Sequence, residues 1–167
     1  MLKDATVAIE DRRFYQHDGI DYEGVIRAGV QNLVNQKTVQ GGSTITMQLA
    51  RNLYISSERT YQRKIREMVV ASRMETMISK DEILELYLNA IYLGRGSWGI
   101  EMAARSYFAK PAKELTLAEG ALLAGLTKVP NFFSPERHAD RARGRLSYVL
   151  NRMEGDGVFD AEAAKSS

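Results

Sequence analysis

Along this chain, apolar positions recur at intervals of three and four, the signature of helices with one buried stripe. The opening "MLKDATVAIED" reads as the middle of a short apolar helix that ends at Glu10 and Asp11. Val25, Ile26, Val30, Leu33 and Val34 mark a second helix over 22–36, flanked by glycines that predict a mobile segment. Ile45, Leu49 and Leu53 share a stripe of a helix over 43–54, after the turn at Gly41 and Gly42, with Ser43 as its cap. A longer helix over 59–78 is apolar around most of its circumference, which predicts a path through the interior.

"SKDE" at 79–82 and "TLAE" at 116–119 have the spacing of capping boxes. The first opens a helix carrying Ile83, Leu84, Tyr87, Leu88 and Ile91, and the second opens "LAEGALLAGL". "GRGSWG" at 94–99 breaks the first of these helices before "IEMAARSYF" restarts one, and "KVPNFFSP" is a loop. A last helix over 141–154 presents Ala142, Leu146, Val149, Leu150 and Met153 on one face. No segment alternates convincingly and no repeat is found, so the fold class is mainly α.

Composition narrows this picture only a little. At 167 residues, 44% hydrophobic and 26% charged, the chain suits one globular domain, with room for a small lobe. No run of 18 uncharged apolar residues is present, so none of it reads as a membrane span. The absence of cysteine excludes disulfides and thiolate metal sites. A net charge of +2 is too small to argue for nucleic acid. The charge is uneven, however: from Arg51 to Arg66 five cations accompany one carboxylate. That density fits either a solvated face or an anion site.

Three stretches carry candidate chemistry. In "EDRRFYQHDGID" two carboxylates close a helix, where the macrodipole disfavours them, so Glu10 is either a solvated end or a general base. His17 alone fits a packing role, and with His138 as the only other histidine no histidine metal cluster can form. In "GGSTITMQLARNLY" the helix start offers free N–H groups to an anion, with Gln48 and Arg51 three apart on one face. In "RTYQRKIRE" Arg59, Arg63, Lys64 and Glu67 can share a face, either as a surface ladder or as a working carboxylate among cations. Together they supply a base, a phosphate-binding helix start and neutralising cations, a set suited to displacing a phosphate leaving group with a hydroxyl.

The order of these blocks resembles the glycosyltransferase domain of glycosyltransferase family 51, the peptidoglycan polymerases. The resemblance rests on "EDRRFYQHDGID", "GGSTITMQLARNLY", "RKIRE", "KDEILELYLNAIYLGRGSWGIEMAARSYF" and "LTLAEGALLAGLTKVPNFFSP", and covers residues 5 to 155. It implies a lysozyme-like helical head over 1–155, with a small mobile jaw near the membrane at about 22–40. Residues 156–167 look like a run-out toward a following transpeptidase domain.

The resemblance further implies that Glu10 is the catalytic base and Glu67 the second catalytic carboxylate. It places Ser43, Gln48, Arg51, Arg59 and Lys64 on the donor's pyrophosphate and sugars, and Asp11, His17, Arg63 and Asn89 among the other substrate contacts. Met47 stands where many members have glutamine, which puts one polar donor contact in question. The implied substrates are lipid II and a lipid-linked glycan chain, and moenomycin-type inhibitors would compete for the donor site. A divalent cation, Mg or Mn, is expected on the pyrophosphate near Glu67, with no metal held by the protein alone. The implied location is the outer face of the bacterial cytoplasmic membrane, normally through an N-terminal transmembrane anchor that this chain lacks. A lytic lysozyme-like enzyme, a silent glycan-binding scaffold and a helical nucleic-acid binder are the alternatives; none of them uses the whole set of residues.

Overall fold

The computed structural model describes residues 1–35, 42–53 and 60–158. Among them are eight α-helices, two short 3-10 turns and one isolated antiparallel bridge, Tyr92 to Trp98, so the chain is mainly α as its periodicity predicts. No described helix is long and apolar enough to cross a membrane. The chain divides into two compact units. A flanking unit joins Met1–Arg12 to residues 88–158, and an inserted unit is Arg13–Tyr87.

In the flanking unit, α1 (Leu2–Glu10), α7 (Leu117–Leu126) and α8 (Ala139–Gly155) pack on one another. Ala5 and Ala8 of α1, Ala121 and Ala124 of α7, and Val149 and Met153 of α8 form the buried cluster, with Leu146 and Leu150 packed at its margin. Alanines on two of the three helices let their backbones approach closely. The Thr116 hydroxyl accepts from the Glu119 backbone, and the Glu119 carboxylate accepts from the Thr116 N–H, so "TLAE" is a complete capping box. α6 (Ile100–Phe108) follows the 94–99 turn and ends at Ala109 in the left-handed region.

In the inserted unit, α2 (Tyr22–Asn35), α3 (Ile45–Leu53) and α4 (Tyr61–Met77) precede α5 (Lys80–Ala90), which runs on past the unit boundary. The "SKDE" box also forms: Ser79 and Glu82 exchange hydrogen bonds at 2.8 and 3.3 Å. Ile83, Leu84 and Tyr87 are fully buried. Gly19 has φ +86°, and a Cβ there would lie 2.8 Å from the Ala71 carbonyl carbon, so only glycine lets this segment rest on α4. Gly42 has no left-handed φ, and a Cβ there would lie 3.2 Å from the Val25 side chain, a tight contact.

Three expectations are corrected. The helix at 59–78 does not run through the interior: only Glu67 and Ala71 of α4 are buried, while Ile65 and Val69 are exposed. The buried stripe follows the four-residue spacing of Glu67 and Ala71, and the larger apolar side chains fall on the other faces. Leu53 is 62% exposed and leaves the stripe of Ile45 and Leu49, because it sits in the last turn of α3. Thr44, not Ser43, caps α3: its hydroxyl accepts from Met47 N at 3.1 Å and its carbonyl from Gln48 N at 3.0 Å. On α2 the predicted helix forms, but Val25, Ile26, Val30 and Leu33 all face outward.

Candidate active site

The richest polar cluster lies in the inserted unit, where α3 begins and α4 passes its second turn. Thr60 caps α4 by accepting from Arg63 N, which sets the phase of the helix. In that phase Arg63, Lys64 and Glu67 share a face, at spacings of three and four. Lys64 Nζ lies 3.2 Å from Glu67 Oε2, and Arg63 Nε lies 3.1 Å from Oε1. The Arg63 contact is an ion pair without hydrogen-bond alignment. Glu67 is 2% exposed, so this is not a solvated surface ladder. A carboxylate so deeply placed is costly unless paired, and the two cations pair it.

Lys64 Nζ also donates to Ser43 Oγ at 2.6 Å. Released from capping, the Ser43 hydroxyl therefore joins the start of α3 to the cation pair on α4. The Ser43 hydroxyl and the Lys64 ammonium, at the positive end of the α3 dipole, form a site suited to an anion. Gln48 accepts from Tyr87 Oη at 3.1 Å, and both Gln48 and Arg51 are half-buried. Met47 is 1% exposed and belongs to the core, so position 47 offers no polar contact to a ligand in this conformation. His17 is buried, its ring edge-on to Phe14. Arg59 lies outside the described residues, as do Gly41, the 36–40 part of the expected jaw and the chain after residue 158.

Glu10 and Asp11 lie in the flanking unit. Glu10 closes α1 and is half-buried, and Asp11 is its buried C-cap. Thr127 Oγ1, at the end of α7, lies 2.7 Å from Glu10 Oε1 and 2.8 Å from the Ala124 carbonyl. One hydroxyl has one proton, and the charged carboxylate is the stronger acceptor. The packing of α1 on α7 thus aims a donor at one oxygen of Glu10. Arg12 pairs with Asp156, which holds the chain just past the two carboxylates. Asn89 is exposed in the last turn of α5.

Among the described residues no three His, Asp or Glu side chains gather, and both oxygens of Glu67 already face cations.

Sequence reasoning missed a further carboxylate with a buried side chain. Glu75, 3% exposed at its side chain, pairs with Lys80 Nζ at 2.5 Å and accepts from the buried Thr46 hydroxyl. The one available signal was a glutamate eight residues after Glu67, two turns along the same helix face.

A model of the transglycosylase family matches residues 1–154. A Cupriavidus necator protein bearing a provisional transglycosylase name is 57% identical over 152 residues, which is 91% of this chain and 65% of the relative. Penicillin-binding protein 1A of Neisseria lactamica is 50% identical over 153 residues, 92% of this chain and 19% of that protein. Penicillin-binding protein 1A of Neisseria flavescens is 48% identical over 159 residues, 95% of this chain and 20% of that protein. The chain thus spans less than two thirds of the length of these relatives.

Proposed function

This chain belongs to the transglycosylase family, and from that premise we propose that it is a peptidoglycan glycosyltransferase that polymerises lipid II. In this reading Glu10 takes the proton from the 4-hydroxyl of the acceptor sugar. The freed oxygen pair attacks the anomeric carbon of the lipid-linked growing chain. The bond to pyrophosphate breaks on the opposite face, and undecaprenyl pyrophosphate leaves with that electron pair. A single displacement inverts the anomeric centre, from α to β. Pyrophosphate needs charge neutralisation more than protonation, and Lys64, Arg51, the Ser43 hydroxyl and the positive end of the α3 dipole supply it. Glu67 holds Arg63 and Lys64 in place.

The observation that carries this reading is the Ser43–Lys64–Glu67 arrangement. A hydroxyl at a helix start and an ammonium share one hydrogen bond, above a buried carboxylate that fixes the ammonium. A glycosidase has no use for such a phosphate-directed site. Support for the membrane surface as a partner comes from the outward apolar side chains of α2 and α4. With them goes an apolar groove of about 430 Å³ lined by Ile20, Ile65, Met68, Val69, Ser72 and Arg73. The place of action is then the outer face of the cytoplasmic membrane, with a transpeptidase domain following in the full-length protein.

The test is polymerisation of purified lipid II in detergent, wild type beside Glu10→Gln and Lys64→Ala. Glycan from wild type, with turnover by Glu10→Gln reduced by about 10²–10⁴-fold at unchanged lipid II binding, is the expected result. Equal turnover by wild type and Glu10→Gln would overturn the base assignment. A wild type that binds lipid II without polymerising it would overturn the function.

A further inference from the structure

The side chain of Glu75 is buried, ionisable and idle in the mechanism above. Its two oxygens are separately engaged: the Thr46 hydroxyl donates to Oε1, and the Lys80 ammonium sits at Oε2. Lys80 Nζ also donates to the His17 carbonyl and lies 4.6 Å from the centroid of the Phe14 ring. One carboxylate therefore ties the second residue of α3, the start of α5 and the Phe14–His17 turn to a single point on α4.

The geometry points to a role for this point in the anion site: we propose that Glu75 is a positioning residue that holds the Ser43 hydroxyl where Lys64 meets it. This rests on the reading of the Ser43–Lys64 pair as the pyrophosphate site. On its N-terminal side Ser43 follows a glycine, which adds no side-chain anchor. On its C-terminal side two hydroxyls anchor the backbone in succession. Thr44 Oγ1 donates to the Gly19 carbonyl at 2.7 Å, and Thr46 Oγ1 donates to Glu75. Thr44 and Thr46 are both buried, so neither has water as an alternative partner. The three hydroxyls of "STIT" thus divide their work: the two threonines fix the first turn of α3, and the serine is left to face the ligand. Donors aimed at developing charge act by being placed in advance, so a loosened first turn weakens the site with every donor still present. The Lys80 ammonium pairs with Oε2 and so leaves Oε1 to accept from Thr46.

The test compares kcat and KM for lipid II polymerisation by the whole chain in four forms: wild type, Glu75→Gln, Ser43→Ala and the double variant. Thermal unfolding is recorded for each. The amide of Glu75→Gln keeps the shape and an acceptor for Thr46 but drops the ion pair. We expect kcat to fall about tenfold in Glu75→Gln with KM changed less than about twofold. In the Ser43→Ala background the same change should cost less than about twofold, because residues acting through one another are non-additive. Equal fold-losses in both backgrounds would mean that Glu75 only supports the fold, and would overturn the proposal. If Ser43→Ala itself matches wild type, it is the reading of the anion site that fails, separately. Should Glu75→Gln not fold, Thr46→Val carries the same cycle, since it deletes only the hydroxyl and leaves the Glu75–Lys80 pair. Coupling to Ser43→Ala supports the proposal and multiplicative losses overturn it.

Discussion

Single residues here owe their roles to what their neighbours leave them free to do. Ser43 could be singled out in the sequence as a helix cap, but Thr44 takes that place and Ser43 turns to Lys64. Adjacent hydroxyls compete for one cap, and sequence spacing does not say which wins. Glu67 and its cations were legible because helical spacing alone brings 63, 64 and 67 together. Glu75 and Thr46 were not, since their contact joins two helices 29 positions apart. Two expectations follow at this scale. Thr127→Val, which removes the donor to Glu10 Oε1 at nearly constant volume, should lower kcat several-fold while the urea midpoint stays near wild type. An unchanged kcat would show that the hydroxyl does not steer the base. Lys64→Met strips one of two cations from a buried carboxylate and should destabilise the fold by about 3 kcal/mol in urea titrations. A loss below about 1 kcal/mol would mean that Arg63 alone satisfies Glu67.

Helices were easier to foresee than the faces they present. Both capping boxes, the α8 stripe and the α5 core residues stand where periodicity puts them. What periodicity cannot give is which way an apolar helix turns when most of it is apolar, and α2 and α4 both show their large side chains outward. The caps make a test. Thr116→Ala should cost α7 about 1 kcal/mol. The Glu119 carboxyl is held below its ordinary value, first by Lys110, then by the Thr116 N–H. The Glu82 carboxyl is lowered in the same sense by the Ser79 hydroxyl and N–H. A carboxylate with a depressed native pKa binds protons less readily folded than unfolded. Its stabilisation is complete above the unfolded value and is lost as pH falls through the folded one. The melting temperature of Glu119→Gln should thus lie below wild type at neutral pH, and the gap should close in acid. A gap constant from neutral pH down to about pH 2 would remove Glu119 from the acid limb.

The whole molecule joins a flanking unit built from both ends of the chain to an inserted unit of contiguous sequence. The outward apolar residues of α2 and α4 belong to the inserted unit: Ile26, Leu33, Ile65 and Val69 are between 47% and 81% exposed. Replacing all four by serine should sharply weaken sedimentation with anionic phospholipid vesicles and leave thermal stability within a few degrees of wild type. Undiminished vesicle binding would remove these faces from the membrane contact. Met153→Ala, in the flanking core, should instead cost about 2–5 kcal/mol and leave vesicle binding intact wherever the protein is folded. The composition of the flanking unit also sets an order of events during synthesis. α1 is made before the inserted unit, but its buried alanines pack on α7 and α8, which are made after it. A nascent chain emerging N-terminus first must therefore carry α1 without its partners while Arg13–Tyr87 is already complete. The helix that bears Glu10 therefore waits for α8 to complete its packing. A chain stalled before residue 139 would thus leave the proposed base without part of its packing.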